Sequence, residues 1–212
     1  MTGVEIPAVY TRSSLAGSDR PERGKCRFCG TSLRRRVVDL GMSPLCESFL
    51  SADKLNQMEA FYPLHVWVCE QCFLVQLEEY VGGDEIFSDY AYFSSFSDSW
   101  LDHCRRYVDQ MIGQLNLTAQ SEVVELASND GYLLQYYQQA NVPVLGIEPA
   151  QNIARIAQEK GIHTISEFFN ADLAAQLQRE GRRADVVHAN NVLAHVADLN
   201  GFVRGLGLLL KD

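Results

Sequence analysis

The chain reads Val123-Val124-Glu125-Leu126-Ala127-Ser128-Asn129-Asp130-Gly131-Tyr132-Leu133-Leu134 at the stretch that decides its fold. The β-branched start predicts a strand that ends near Glu125, and the apolar spacing from Tyr132 onward predicts a helix. Small and polar residues form the loop between them. Such a loop at the carboxyl end of a parallel strand presents backbone N–H groups to a ligand, although an ordinary β-α-β unit whose loop binds nothing has the same pattern.

Missing motifs narrow the class of ligand. The loop lacks the G-x-G-x-x-G of dinucleotide sites and the Lys and Ser/Thr of a P-loop, which weakens the case for pyrophosphate or triphosphate. The next predicted strand ends in Glu148, about 20 residues further on, where a doubly wound fold offers a carboxylate to a ribose diol. A ribose site without a phosphate cradle favours a nucleoside that bears no phosphate, and S-adenosylmethionine is the commonest of these.

Composition sets the outer bounds. The 212 residues are 47% hydrophobic and carry a net charge of −9, which argues against nucleic acid and against an anionic membrane surface as partners. No apolar run approaches the roughly 20 residues of a membrane span, and the amino terminus does not look like a secretory signal. A cytoplasmic protein is the default expectation. Six cysteines in that compartment predict metal ligands or free thiols rather than disulfides.

Two C-x-x-C knuckles predict a metal site in the first part of the chain. Four thiolates spaced in this way converge on one tetrahedral Zn²⁺, and a closed site of this kind stabilises a fold and does no chemistry. The expected ligands are Cys26, Cys29, Cys69 and Cys72. The alternative is four buried free thiols. Strands are expected at Val37–Gly41 and at His65–Val68, while Cys46 and Cys104 lack the spacing and are expected to be packing residues.

The segment from Asp89 to Trp100 is dense in aromatic and hydroxyl side chains and fits neither a helix nor an alternating strand. Aromatic faces with polar tips suit the wall of a ligand site, and a segment that packs between two domains would have the same composition. A helix is predicted from Leu101 to Leu117.

Helices and strands then alternate. Predicted helices at 132–140, 151–160 and 171–180 separate predicted strands at 142–147, 162–165 and 184–189. This alternation predicts an α/β fold: a Rossmann-like doubly wound parallel sheet, incomplete with about four strands, behind a small β-rich zinc-binding lobe. Ligands gather at the carboxyl ends of such strands. The side chains expected there are those of Ser128, Glu148, Phe168, Phe169, Asn190 and Asn191.

The last predicted strand leads into His188-Ala189-Asn190-Asn191-Val192-Leu193-Ala194-His195-Val196. Side-chain amides at this position either bond the charged amino-acid end of a cofactor or cap the next helix. His195 follows one short turn later. An imidazole is mostly unprotonated at neutral pH and so accepts a proton, although a lone histidine also serves as a purely structural residue.

Six motifs occur in the order CRFCG, CEQC, DYAYFSS, VVELASNDGYLL, GIEPA and HANNVLAHV. In this set and order the chain, from about Cys26 to Asp212, resembles the zinc-containing sugar C-methyltransferases of deoxysugar and antibiotic biosynthesis. That family transfers a methyl from S-adenosylmethionine to C3 of a nucleotide-linked 4-ketosugar. The resemblance implies Zn²⁺ on the four cysteines, His195 as general base and Tyr90 beside the sugar.

The resemblance also implies how the cofactor lies. Glu148 would hold the ribose, one of Phe168 or Phe169 the adenine, and Asn190 the methionine end, with the cofactor lying over the first loop. The residues expected to contact S-adenosylmethionine are Glu125, Ala127, Ser128, Asn129, Asp130, Gly131, Glu148, Phe168, Phe169, Asn190 and Asn191.

Four segments are expected along the chain: a flexible tail at 1–24, a zinc-binding domain at 25–80, an aromatic linker and helix at 81–117, and the N-terminal part of a methyltransferase domain at 118–212. The family continues for roughly as many residues again. We therefore expect this chain alone to be inactive, and to self-associate or to need a complementary C-terminal chain. Two rival functions stay open, a non-catalytic partner subunit that binds S-adenosylmethionine and zinc, and an O- or N-methyltransferase.

Overall fold

The computed structural model describes residues 24–212, so the expected tail at 1–24 lies outside the described residues except for Gly24. Strands and helices follow one another in two groups. The strands are β1 (Arg35–Ser43), β2 (Tyr62–Val68), β3 (Val75–Leu77), β4 (Val123–Leu126), β5 (Val144–Ile147), β6 (Thr164–Ile165) and β7 (Val186–His188). The helices are α1 (Gly83–Phe87), α2 (Asp98–Leu115), α3 (Leu134–Gln139), α4 (Gln151–Glu159), α5 (Ala171–Arg179) and α6 (Leu199–Leu209).

The first group is an antiparallel sheet of order β1-β2-β3 between the cysteine knuckles and just beyond them. The strands predicted at Val37–Gly41 and His65–Val68 are present and longer than expected, while the three-residue β3 was not predicted. Over the described residues 24–80, the buried side chains are only those of Cys26, Cys69 and Gln76. The lobe therefore has almost no apolar core, and a small domain of this kind needs a cross-link or a metal for stability.

Two helices carry the chain from this lobe to the second sheet. The five-residue α1 was not predicted, because it is too short to show a helical period. Helix α2 begins a little before the predicted Leu101, because the Ser97 side chain accepts a hydrogen bond from the Trp100 N–H and caps it. It ends at Asn116, whose φ of 51° is the left-handed conformation that closes many helices.

The second group is a parallel sheet of order β6-β5-β4-β7. From β4 the chain moves outward through β5 to β6, and then returns to the other side of β4 with β7. The direction of winding thus reverses between β4 and β7, and a doubly wound sheet binds its ligands at this crevice. The predicted α/β class with about four parallel strands behind a β-rich lobe is confirmed.

Helices cover both faces of this sheet, because successive side chains of a strand point to opposite faces. Val123 of β4 belongs to a core with Val108 of α2 and Tyr137 of α3. Val124 and its neighbours on the other face form a second core that includes the buried apolar side chains of α5 and α6. Within residues 24–212, none of the helices is long and apolar enough to cross a bilayer.

Candidate functional site

The first candidate centre is a metal site formed by the two knuckles. The Sγ atoms of Cys26, Cys29, Cys69 and Cys72 all lie within 4.8 Å of one another. Two of the sulfur pairs, Cys26 with Cys72 and Cys29 with Cys69, are 3.5 Å apart. Four sulfurs at the Zn–S distance of ~2.3 Å around a tetrahedral ion would lie about 3.8 Å apart, so the donor set fits Zn²⁺.

Hydrogen bonds orient these ligands. The knuckle backbones turn through N–H bonds from Gly30 to the Cys26 carbonyl and from Phe73 to the Cys69 carbonyl, each 2.9 Å long. The Gln76 amide donates to Cys26 Sγ at 3.2 Å. The Thr31 hydroxyl, 3.3 Å from Cys29 Sγ, lowers the pKa of that thiol to about 6, which favours the thiolate that a metal binds.

The two remaining cysteines lie outside this cluster. Cys104 is buried in the first core, as predicted for a packing residue. The same prediction for Cys46 is wrong, because its side chain is exposed. His65, a residue type that also binds zinc, lies instead beside Asp39, with its Nε2 3.4 Å from the Asp39 carboxylate.

The second candidate centre begins at the loop after β4. Ala127, Asn129 and Gly131 have φ angles of 51°, 49° and 78°, so left-handed residues alternate with Ser128 and Asp130. The N–H groups of Ser128, Asn129 and Gly131 donate within the chain, to the Ile147 carbonyl, the Glu148 carboxylate and the Ser128 carbonyl. These three groups therefore brace the loop and are not presented to a ligand as the sequence predicted, and a positive φ at alanine is uncommon. The loop is held close to β5, since a Cβ added to Gly146 would lie 2.5 Å from the Ser128 Oγ.

Glu148, at the end of β5, braces this loop. Its two carboxylate oxygens accept hydrogen bonds from the Asn129 N–H at 2.9 Å and from the Ala150 N–H at 2.8 Å. Burial raises the pKa of Glu148, against the lowering effect of these two bonds. Each oxygen keeps a second lone pair, so the carboxylate retains acceptor capacity for a diol.

Unsatisfied oxygens occur at the end of β4 and in the loop that follows it. The Glu125 side chain is 1% exposed, and in the described chain its two oxygens, together with the Ser128 hydroxyl and one Asp130 oxygen, are buried without a hydrogen-bond partner. Burial raises the pKa of Glu125 well above its usual value, although Tyr132 and Asn190 beside it act in the opposite direction. Because buried polar groups are normally paired, these unpaired oxygens indicate that the end of β4 and the loop after it form a site for a polar ligand.

The strand-end residues differ in their surroundings. Phe168 is 41% exposed and lies near Gly83, whereas Phe169 packs edge-on against Phe202 with ring centroids 5.2 Å apart. Only Phe168 of this pair is thus free to stack on a ligand. Asn190 and Asn191 do not cap the following helix, because the Asp198 side chain accepts from Gly201 at the start of α6. That alternative for the two amides is excluded.

The third feature is a group of rings beside this edge. Phe87 lies edge-on to both Tyr90 and His195, with centroid separations of 5.7 Å and 6.0 Å. The two side chains that the sequence singles out for catalysis, 105 positions apart (195 − 90), are therefore brought to the same ring. Burial and the neighbouring Glu47 carboxylate raise the pKa of Tyr90 to about 12, so its hydroxyl stays protonated at neutral pH.

Side-chain amides fix the aromatic segment to the parallel-sheet domain. Asn152 accepts from the Tyr90 N–H at 3.2 Å and donates to the Tyr90 carbonyl at 2.8 Å. Asn129 accepts from the Ser94 N–H at 2.9 Å and donates to the Tyr92 carbonyl at 3.1 Å. We call these two pairs the amide clasps. The backbone of Asn129 therefore forms part of the loop after β4 (the cofactor loop), while its side chain binds the aromatic segment.

Lys160 adds a third link to the same segment. Its ammonium donates to the Asp130 carboxylate and carbonyl, both at 3.0 Å, and to the Ser95 hydroxyl at 3.1 Å. Lys160 and Asn152 were not predicted as site residues, because nothing in their local sequence distinguishes them from ordinary helix-surface residues. Their roles depend on contacts made only in the folded chain.

The chain matches two family models. Residues 26–87 match one described as "Putative zinc binding domain", and residues 124–212 match one described as "Methyltransferase domain". The chain is also 32% identical over 186 residues to the C-methyltransferase NovU of Streptomyces niveus, which covers 88% of this chain and 44% of that protein. It thus spans less than half the length of this curated relative.

Solved structures give weaker likenesses. A methyltransferase from Clostridium acetobutylicum matches with 14% identity and a TM-score of 0.42, over 53% of this chain and 47% of that one. The magnesium protoporphyrin IX methyltransferase of Synechocystis matches with 20% identity and a TM-score of 0.41, over 54% of this chain and 57% of that one.

The sequence-level matches agree with the geometry of both centres. The cysteine cluster lies within the matched zinc-binding domain, and the crevice lies within the matched methyltransferase domain. The two cofactors that the sequence predicts, Zn²⁺ and S-adenosylmethionine, are thereby confirmed. The chain thus combines, in this order, a segment that matches a zinc-binding domain and a segment that matches a methyltransferase domain.

Proposed function

We propose that this chain carries the methyl-transfer site of an S-adenosylmethionine-dependent enzyme that methylates C3 of a nucleotide-linked 4-ketosugar in deoxysugar biosynthesis. The observation that carries the proposal is the meeting of Tyr90 and His195 at Phe87, beside the cofactor crevice. The similarity of the chain to a C-methyltransferase supports carbon as the methylated atom. Methylation at this carbon needs a base that removes the C3 proton, whereas an oxygen or nitrogen acceptor already carries a lone pair and has less need of a base.

The residues around the crevice fit the cofactor. Glu148 would accept from the ribose diol, the exposed ring of Phe168 would stack on the adenine, and the loop Ala127–Gly131 would lie beneath the nucleoside. The unpaired oxygens of Glu125 would take the ammonium of the methionine end, with Asn190 and Asn191 beside it. When bound, S-adenosylmethionine supplies a methyl that its positive sulfur already makes electrophilic.

Acceptor activation would fall to His195 and Tyr90. The 4-keto group of the sugar acidifies the hydrogen at C3, and the His195 imidazole would accept that proton. The resulting enolate carries its charge on the keto oxygen, where a donor is needed. Tyr90, with its pKa raised to about 12, keeps its proton and would donate a hydrogen bond to this oxygen.

Alignment is the remaining contribution of the chain. Carbon and methyl must approach to about 3–3.5 Å in line for productive attack. The amide clasps hold the backbone of Tyr90 to the domain that binds the cofactor, which fixes the acceptor wall relative to the donor.

Hydrogen exchange at C3 tests the proposal. The test uses an active form of the enzyme, for example this chain with the complementary C-terminal chain expected above. A nucleotide-linked 4-ketosugar incubated with it in D₂O should gain deuterium at C3, and His195→Ala should remove both this exchange and methyl transfer. Cofactor affinity should stay nearly intact in the variant, because the imidazole lies outside the cofactor crevice. Methyl transfer lost with exchange preserved would assign the base to another residue. Methylation at oxygen or nitrogen without any C3 exchange would favour the rival methyltransferase reaction.

A further inference from the structure

One side chain of the metal knuckle reaches out of the zinc-binding lobe. Arg27 stands between the ligands Cys26 and Cys29, and its Nη1 donates to the Val196 carbonyl at 3.1 Å. Its Nη2 donates to the Leu77 carbonyl at 2.7 Å. One guanidinium therefore joins the end of β3 to the segment that follows His195.

A second bond crosses the same junction in the opposite direction. The Asn200 amide, at the start of α6, donates to the Phe28 carbonyl at 2.8 Å. The two knuckle residues between the metal ligands, Arg27 and Phe28, thus both contact the stretch from Val196 to Asn200. We call this pair of bonds the knuckle junction.

The His195 turn is held at its two ends by Val192 and Val196, which pack against the second core, but its own side chains make few contacts. Residues Leu193–His195 form one short 3₁₀ turn, and each of these three side chains is exposed. The turn is closed by the His195 N–H bond to the Val192 carbonyl at 2.9 Å, and the imidazole contacts the Phe87 ring. A single exposed turn of this kind opens readily, so an external bond to Val196 bears strongly on where the imidazole lies.

We propose that Arg27 is a positioning residue for His195, and that it makes the placement of the His195 turn depend on the metal site. The consequence for catalysis rests on the proposed function, whereas the coupling of the turn to the knuckle does not. The zinc site then does more than stabilise its own lobe, because its knuckle supplies the anchor for a turn of the methyltransferase domain.

The path from metal to turn is continuous. The backbone N–H of Arg27 donates to the side-chain Oε1 of Gln76 at 3.0 Å, and the Nε2 of the same Gln76 donates to Cys26 Sγ. Gln76 therefore ties the metal ligand to the backbone that carries the guanidinium. Because the lobe lacks an apolar core, loss of the ion would release the knuckle and with it the base of the Arg27 side chain.

Arginine suits this role better than lysine. Its planar fork donates in two directions at once, and here it serves two carbonyls on different elements. An ammonium on a flexible stem would satisfy one of them at a time. Arg27→Lys should accordingly restore part of the anchoring that Arg27→Ala removes.

Amide hydrogen exchange read by mass spectrometry, together with zinc content, tests the proposal. Arg27→Ala should keep its zinc and exchange about tenfold faster over residues 193–198, because a charged hydrogen bond of ordinary strength is lost. Arg27→Lys should fall between this variant and the wild type. The matched control is Arg35→Ala, which removes an exposed cation paired with Glu70 on the same lobe and should leave the segment unchanged.

Removal of the metal is the second part of this experiment. A chelator should raise exchange over residues 193–198 in the wild type to the level of Arg27→Ala, and should raise it little further in that variant. An equal rise in both proteins would show that the metal acts by another route and would overturn the coupling. Unchanged exchange in zinc-replete Arg27→Ala would overturn the positioning role.

Asn200→Ala covers the case in which Arg27→Ala loses its zinc. It removes one of the two bonds of the knuckle junction, that to the Phe28 carbonyl, while every residue of the lobe stays as it is, and it should also speed exchange over 193–198. Wild-type exchange in this variant would count against the proposal. If the turn loosens as expected while His195→Ala keeps C3 exchange, Arg27 stands as the anchor of the turn and the proposed base is wrong.

Discussion

Three titratable side chains lie buried beside the cofactor loop, and they respond to pH in opposite directions. Burial raises the pKa of Glu125 and of Glu148, so the stability linked to these carboxyls is present at low pH and is lost as pH rises. His188, at the end of β7, behaves in the reverse way. Burial lowers its pKa from 6.5 to about 4, while its Nε2 lies 2.9 Å from the Tyr137 hydroxyl.

We predict that His188 makes the fold acid-sensitive between pH 6.5 and 4. The folded state binds fewer protons there than the unfolded state, so stability present above pH 6.5 is lost as pH falls toward 4. Linkage with these two pKa values gives a loss of about 2 kcal/mol between pH 7 and pH 5. Urea unfolding at both pH values should show this loss in the wild type and not in His188→Gln. An equal loss in both proteins would assign the acid sensitivity elsewhere, for example to the thiolates.

A second prediction at this scale concerns Glu148. Glu148→Ala should weaken S-adenosylmethionine binding at least tenfold in calorimetry, because a hydrogen bond to a charged group contributes roughly 1.5–3 kcal/mol. The variant also frees the Asn129 N–H, so the loop loses its brace. Glu167→Ala, which removes an exposed carboxylate after β6, is the control and should bind normally. Unchanged affinity in Glu148→Ala would mean that another group binds the ribose hydroxyls.

At the scale of elements, the knuckles and the short antiparallel sheet depend on each other. The lobe buries two cysteines and one glutamine, so its strands have little besides the metal to hold them. The parallel sheet has an apolar core on each face and should fold without such help.

Cys69→Ser should therefore abolish stoichiometric zinc binding and unfold the lobe, whereas the wild type should hold one zinc per chain. Elemental analysis and exchange over residues 24–77 measure both effects. Cys104→Ser alters a buried thiol of the first core and should keep its zinc, with only a mild loss of stability. Less than about half an equivalent of zinc in carefully purified wild type would contradict the metal assignment itself.

The elements most visible in the sequence are those with a local signal. The C-x-x-C spacing and the period of the strands and helices predicted the cysteine cluster, the α/β class and the loop after β4, because each is written within a few consecutive residues. Arg27 and Val196 are 169 positions apart, and no local sequence pattern predicts a contact between them. Lys160 and Asn152 were not predicted for the same reason, because their contacts join segments that are distant in the sequence. Cys46 lies in a turn after β1, and it was misjudged because an isolated cysteine carries no local signal of its burial.

At the scale of the whole molecule, the lobe presents an apolar surface to solvent. Phe49 and Met58 are 82% and 99% exposed, and Leu40, Met42 and Leu55 are exposed beside them in the chain. The parallel sheet also ends in an edge strand, β7, on one side. Exposed apolar side chains and open sheet edges both favour association.

We expect the purified chain to self-associate at micromolar concentrations. Sedimentation velocity should show a weight-average mass that rises with concentration, and replacing both Phe49 and Met58 by serine should reduce this rise. Phe96→Ser, which alters a ring that is 84% exposed outside the lobe, is the control and should behave like the wild type. A mass of 23.8 kDa at every concentration would contradict the expectation.

The amide clasps have a consequence for how the acceptor specificity of such a site can change by mutation. Residues 90–94 are held much as a strand is held in a sheet, yet their neighbours are the side chains of Asn129 and Asn152 rather than another backbone. Backbone pairing survives most exchanges of an amino acid other than to proline, whereas the contacts of a carboxamide are lost when that one side chain is exchanged. A single-codon change at Asn152 could therefore shift the acceptor wall while β4 and β5 keep their register, so new acceptors become reachable by small mutational steps.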